Sequence, residues 1–342
     1  MNNIFNLLKR LCELDGPSGN EDAVREFILT EISPYCDAKT DAMGNIIAFK
    51  KGKKAPQKRV MLDAHLDEVG VIVTGITADG FLKFETVGGI ETEALMCKRV
   101  RFGNVIGIIG AKPIHQSSGD ERKKLPSKDS LYIDIGATDK EDAEKVIALG
   151  DIGTFAADWA DLSEDIFRSK AIDDRVGCAV LTELLKQTAE YDFYATFTVG
   201  EELGCRGAKT ATYSVDPDFA IALECTTAAD LHKNSENPVT KVGEGVAVSF
   251  MDRATLYDRP LYDFTLKTAE KNGIPIQVKT AVSGGNNAGA IHLTRGGVRT
   301  VTLSLPGRYI HSSTTVGSKK DVLAQFELAK TLLGELAGGM LD

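Results

Sequence analysis

In "NNIFNLLKRLCE" apolar residues return at three- and four-residue intervals, and the same period continues through residues 20–34. The pattern predicts two amphipathic helices at the start of the chain, about 2–13 and 20–34, divided by the turn cluster "DGPSGN", where Ser18 or Asn20 is placed to cap the second. "NIIAFKKGKK" and "KRVMLDAHLDEVG" read as strands. From about residue 69 to 160 the period shortens to two and glycine becomes frequent. "VGVIVTGITADGFLKFETVGG" alternates about Asp79-Gly80 and "KRVRFGNVIGIIGAKPIH" about Gly103-Asn104, both hairpin signatures. The polar stretch "HQSSGDERKKLPSKDS" reads as a loop, with a short helix near 140–148. Helix and strand then alternate: helix 174–189, strand 193–200, helix 205–212, strand 218–225, helix 258–272, strand 275–281, helix 286–294, strand 298–305 and helix 319–337. The expected fold is α/β, a mixed central sheet with helices on both faces, interrupted by a small inserted β-barrel. One discontinuous domain would comprise residues 1–68 and 161–342, and the β-rich insert residues 69–160.

Composition narrows the function classes. At 342 residues and 43% hydrophobic, the chain can bury a real core, and its formal charge of −9 argues against nucleic acid, which demands dense positive charge. The six cysteines are scattered without a CxxC or a framework spacing, the usage of reduced thiols in a cytoplasmic protein. No apolar run is long enough to cross a membrane, and the first residues mix charge with apolar positions instead of forming a secretory signal. A soluble, cytoplasmic protein with neither nucleic-acid nor membrane partners is expected.

Candidate chemistry gathers where apolar runs end. His65 and Asp67 follow "RVMLDA", Glu201 and Glu202 follow "FTVG", Glu224 follows "FAIAL", and His311 follows "VTLSLPGRYI", while Asp173 and Asp174 open the helix of "AIDDRVG". In α/β sheets the carboxyl ends of strands collect ligands, so these segments deliver imidazoles and carboxylates to one edge. Taken singly each is ordinary: adjacent glutamates usually mark a solvated turn, and an acidic pair at a helix start a cap. Together they would repel one another in a water-poor crevice, and such a crevice needs a cation. A mixed nitrogen and oxygen donor set suits zinc, cobalt or manganese, whereas calcium favours oxygen alone. Gly200 and Gly204 suit a tight turn that brings both glutamates to one cavity, Glu202 as a metal ligand and Glu201 as the group that moves a proton. Asp67 is placed to orient the ring of His65. His115, His232 and His292 fall on no strand-end motif and read as structural.

The ordered motifs "DAHLDEVG", "AIDDRVG", "VGEELGCRGA", "ALECTTAAD" and "RYIHSS", with a β-rich insertion between the first and second, closely resemble the glutamyl and tetrahedral aminopeptidases, co-catalytic metallopeptidases of the zinc exopeptidase clan. The resemblance spans nearly the whole chain. It implies two divalent ions per subunit, with Asp173 bridging them, His65 and Glu224 completing one site, and Glu202 and His311 the other. It also implies Glu201 as general base, Asp67 as the orienter of His65, a cis peptide bond between Asp173 and Asp174, and peptides as substrates. The insert would drive dimerisation, and dimers in this family commonly assemble into hollow dodecamers. Two departures bear on substrate preference: many relatives carry aspartate at the position of Glu224, and Thr-Asp where this chain has Asn286-Asn287. The same ligand pattern also serves deacylases and carboxypeptidases, and relatives have been labelled endoglucanases. Glycoside hydrolysis by paired carboxylates needs no histidine ligands. A catalytically silent assembly or peptide-binding homologue is the alternative from another class.

Overall fold

A computed structural model of the chain describes residues 2–231 and 239–341. Eight strands form the main sheet, in the spatial order Asp37–Thr40, Ile46–Lys50, Phe193–Thr198, Val60–His65, Phe219–Thr227, Arg299–Gly307, Val246–Ser249 and Ile276–Lys279. Phe193–Thr198, Val60–His65, Phe219–Thr227 and Arg299–Gly307 run parallel to one another at its centre. Antiparallel pairings join this core to the strands on either side. The sheet is mixed, as the alternating pattern predicts.

Central strands buried on both faces should carry apolar residues at successive positions, and these do. Ile46 and Ala48 point into the larger core with Leu62 and Ile221, while Ile47, Met61 and Ala220 point into a smaller core on the opposite face. The first face is covered by the helices Asn2–Glu13, Asp22–Ile32, Ile172–Lys186 and Lys319–Ala337, and the second by Arg206–Val215 and Ala288–Ile291.

Between Val60–His65 and the rest of this sheet in sequence, the strands Gly70–Ile76, Leu82–Val87, Arg99–Phe102, Val105–Gly110, Tyr132–Asp134 and Ile152–Phe155 close into a barrel with its own apolar interior of Val71, Phe84, Ile109, Ile133 and their neighbours. Its first two strands turn at Asp79-Gly80 and the next two at Gly103-Asn104, where the alternation changes direction.

Three local expectations are corrected. Neither Ser18 nor Asn20 caps the second helix; Glu21 occupies that position without a side-chain cap bond. Glu224 lies inside its strand, three residues before the end, because Phe219–Thr227 is longer than its apolar run. The helix expected over 286–294 shrinks to Ala288–Ile291, with the glycines before it leaving a loop. A small sheet of Ala160–Asp161, Ile166–Ser169 and Thr315–Ser318 had no clear signature, being too short for periodicity to register.

Candidate metal centre

The strand Val60–His65 is buried along its length, and the chain stays buried through Leu66, Asp67 and Glu68 beyond it. The carboxylate of Asp67 is consumed by neighbours from distant parts of the sequence. It accepts the hydroxyl of Ser18 at 2.6 Å and the main-chain amides of Glu201 and Glu202 at 3.0 and 3.1 Å. Those two amides open the turn after Phe193–Thr198, flanked by Gly200 (φ 64°) and Gly204 (φ 103°), where a side chain would be strained. One aspartate therefore fastens the paired glutamates to the end of the adjacent parallel strand, and both carboxylates reach the same cavity.

Two groups of potential ligand atoms meet there, His65 with Asp173 and Glu224, and Glu202 with Asp173 and His311; within each, the atoms lie within 4.8 Å of one another. His65 Nε2 stands 3.2 Å from Asp173 Oδ1 and 3.7 Å from Glu224 Oε2. His311 Nε2 stands 3.2 Å from Glu202 Oε1 and 3.6 Å from Asp173 Oδ2. Asp173 thus offers one oxygen to each group. It sits at an interruption in the helix Ile172–Lys186, where Asp173 and Asp174 leave helical geometry and the peptide bond between them is cis.

The opposite ring nitrogens identify what the inward ones can bind. His65 Nδ1 lies 3.0 Å from the main-chain oxygen of Asp67, and His311 Nδ1 lies 2.8 Å from that of Gly89. A carbonyl oxygen only accepts, so each Nδ1 must carry the hydrogen. In the neutral rings both Nε2 lone pairs then aim at carboxylate oxygens, an arrangement that repels unless a positive charge sits between them. Titration carries the same demand: burial pulls the His65 imidazole down, yet Asp173 and Asp67 hold it well above its usual value, and His311, opposed in the same way, is lifted to about 11 by Asp173 and Glu202. The donor set fits a pair of divalent cations.

Glu201 belongs to neither group, though it approaches His65 and Glu202. Burial raises its carboxyl to about 8, against the pull of His65 and with help from Glu202, Asp67 and Asp173, and Cys205 donates its thiol toward Oε1 at 3.4 Å. A carboxylate with an affinity for protons near neutrality is suited to general base work.

The sequence marks Asp174 and Asn287 in the layer beneath, but not Asp63 or Glu68. Asp174, fully buried and pushed well above the usual range by that burial, accepts the amides of His65 and Gly177. Asp63, raised to about 6 by burial, accepts from Thr196 Oγ1 at 2.6 Å and Asn287 Nδ2 at 2.7 Å. Asn287 also donates to Thr198 and turns its main-chain amide toward Glu224 at 3.4 Å. Glu68 joins Lys170, Arg175 and Thr154. A charged residue inside an otherwise apolar strand, as in "VMLDAH", was the available signal for Asp63.

Beside Asp173 and His311 opens a cleft of about 170 Å³ whose polar wall includes Ser249, Ser283, Ser304, Asn286 and Lys279. His115 and His292 join neither ligand group: His115 is exposed on the short turn Ile114–Gln116, and His292 Nδ1 pairs with the main-chain oxygen of Ala288. His232 lies outside the described residues.

The family profile described as M42 glutamyl aminopeptidase matches residues 44–328. A putative aminopeptidase of Acetivibrio thermocellus is 40% identical over 322 residues, covering 93% of this chain and 95% of that protein. The solved structure of an aminopeptidase from the archaeon Desulfurococcus kamchatkensis superposes with a TM-score of 0.92 at 34% identity, covering 98% of this chain and 95% of that one. A TET peptidase from Pyrococcus horikoshii, described as able to assemble into a tetrahedron or a large octahedral shell, gives a TM-score of 0.85 at 31% identity, covering 96% of this chain and 98% of that one.

Proposed function

The chain belongs to the M42 glutamyl aminopeptidase family and is an aminopeptidase hydrolase; from that premise we propose that it works with two divalent cations shared through Asp173. His65 and Glu224 would complete one ion's ligands, and Glu202 and His311 the other's. Zinc or cobalt best matches these donors, with manganese also accommodated. When bound, such a pair supplies Lewis acidity, lowering the pKa of a water toward 7 and polarising a peptide carbonyl. Everything else in the reaction falls to the chain. The Glu201 carboxylate takes the proton of the attacking water and returns it to the leaving amine, while Asp67 holds both the ring of His65 and the turn that carries Glu201. The polar cleft receives the side chain of the substrate's first residue. We assign the catalytic domain to residues 1–68 and 161–342 and subunit pairing to the insert of residues 69–160, in a homo-oligomer.

One observation carries the reading: two imidazole Nε2 atoms, each with its Nδ1 committed to a main-chain oxygen, converge on opposite oxygens of one aspartate. The test is hydrolysis of a peptide panel by metal-stripped and metal-reconstituted protein. Free-amino peptides should be cut from the amino end only after reconstitution, and Glu201→Gln should lower kcat by about 10²–10⁴ with both ions retained. Hydrolysis of N-acylated amino acids in preference to free-amino peptides would select the deacylase alternative. Unimpaired turnover by the Glu201→Gln protein would remove that residue from the mechanism.

A further inference from the structure

The two ligand groups are supported from different parts of the molecule. His65 takes its ring orientation from Asp67, two residues away in the same buried segment. His311 is 36% exposed, sits on a loop at φ 60°, and takes its orientation from Gly89, 222 positions away, where the chain leaves the barrel strand Leu82–Val87. The residue before it touches the other ligand of the same group. Gly88 adopts φ 84°, and a Cβ built there would lie 2.9 Å from Val69 Cγ1, 3.2 Å from Glu202 Cβ and 3.4 Å from Glu202 Oε2. The two ligands that do not belong to the His65 group are thus contacted by consecutive residues of the barrel's exit, one through a carbonyl and one through the space that an absent side chain leaves.

We propose that Gly88-Gly89 is a positioning element for the Glu202–His311 ion, so that the conformation of this barrel exit sets the affinity of that ion independently of the other. The inference rests on the two-ion reading and adds an asymmetry to it. The Gly89 carbonyl keeps hydrogen on Nδ1 and turns Nε2 inward. Gly88 lets the chain pass against Glu202 without displacing its carboxylate. Partners of this kind, which touch a metal's ligand rather than the metal, typically govern 10- to 100-fold in affinity.

The experiment titrates metal-stripped full-length protein with cobalt(II), following heat and the visible absorption of the bound ion. Wild type should take up two equivalents. In Gly88→Ala the second equivalent should weaken by about 10- to 100-fold, with an altered absorption for that equivalent alone, while the first is unchanged. Gly88→Asn, whose side chain tolerates positive φ better, gives the same readout should the alanine variant fold poorly. Gly150→Ala imposes comparable backbone strain just before the barrel strand Ile152–Phe155, φ 89°, where a Cβ meets nothing within 4 Å, and should leave both equivalents intact. Equal weakening of both equivalents in the Gly88 variants, or none, overturns the inference. So does the same loss in Gly150→Ala, which would trace the effect to general strain. A wild-type protein that binds fewer than two equivalents would instead defeat the two-ion reading, and the inference with it.

Discussion

The His65–Glu224 half of the site and the Glu202–His311 half share Asp173 and the anchor Asp67, and otherwise stand on different parts of the fold. His65, 1% exposed, ends one central strand, and Glu224 lies within its parallel neighbour, so the first half inherits the rigidity of the sheet. Behind it, Gln325 donates to the main-chain oxygen of Glu224, and Asn287 ties Asp63 to Thr198. The second half stands on two turns, with His311 36% exposed and held by a carbonyl from the barrel. Burial by a sheet fixes ligands as a by-product of folding, whereas ligands on turns need partners supplied for the purpose. The inner half should therefore be coupled to stability, and the outer half to the placement of the insert.

The broadest way to break the contrast is to remove what the halves share. Asp173→Ala should lose both ions by elemental analysis and at least about 10³-fold in kcat/KM, the loss of several kcal/mol of charge stabilisation. A variant that keeps two ions would show that the halves do not meet at Asp173. A narrower change sharpens the contrast. Asn287→Leu strips the donors from buried Asp63 and Thr198, and unfolding of the metal-free protein by urea should become easier by about 1–3 kcal/mol, the usual cost of orphaned buried polar groups. Ser312→Ala, an uncharged change on the partly exposed loop that carries His311, should move the same measurement by no more than about 0.5 kcal/mol. Equal effects would erase the distinction.

How far the sequence reveals each half follows from the same difference. The proposed inner ligands and the Glu201-Glu202 turn stand out because polar residues abruptly end or interrupt apolar runs, and a buried strand leaves that mark locally. The helices and barrel hairpins are legible for the same reason, each having a period of its own. Support from elsewhere in the chain leaves no such mark. Ser18 looks like a helix cap, yet its hydroxyl serves Asp67, 49 positions away. Gly89 acts through a carbonyl that every residue possesses, so only the folded path of the chain distinguishes it. Asp37–Thr40 is exposed at every position and shows no alternation, and an edge strand of that kind is held by its neighbour's hydrogen bonds rather than by its own side chains.

The smallest effect on catalysis is expected in the cleft on the open side, where the first residue of the substrate would lie. Lys279 ends the strand Ile276–Lys279, is largely buried, and donates to the main-chain oxygen of Ser283 at 2.9 Å. Burial holds its ammonium below the usual lysine value, against the opposing pull of Asp252 and Glu224, so the side chain is a charge lodged at some cost among serines and an asparagine. An acidic or hydrogen-bonding side chain entering the cleft would offset that cost; a large aliphatic one would not. A hydrogen bond to a charged group is worth about 1.5–3 kcal/mol, which corresponds to roughly tenfold or more in relative rate. Lys279→Met should therefore shift the ratio of kcat/KM for glutamyl over leucyl chromogenic amides by about tenfold toward leucyl, with metal content unchanged. An unchanged ratio would mean that the side chain of the first residue lies elsewhere, and that the polar cleft serves the peptide beyond the scissile bond.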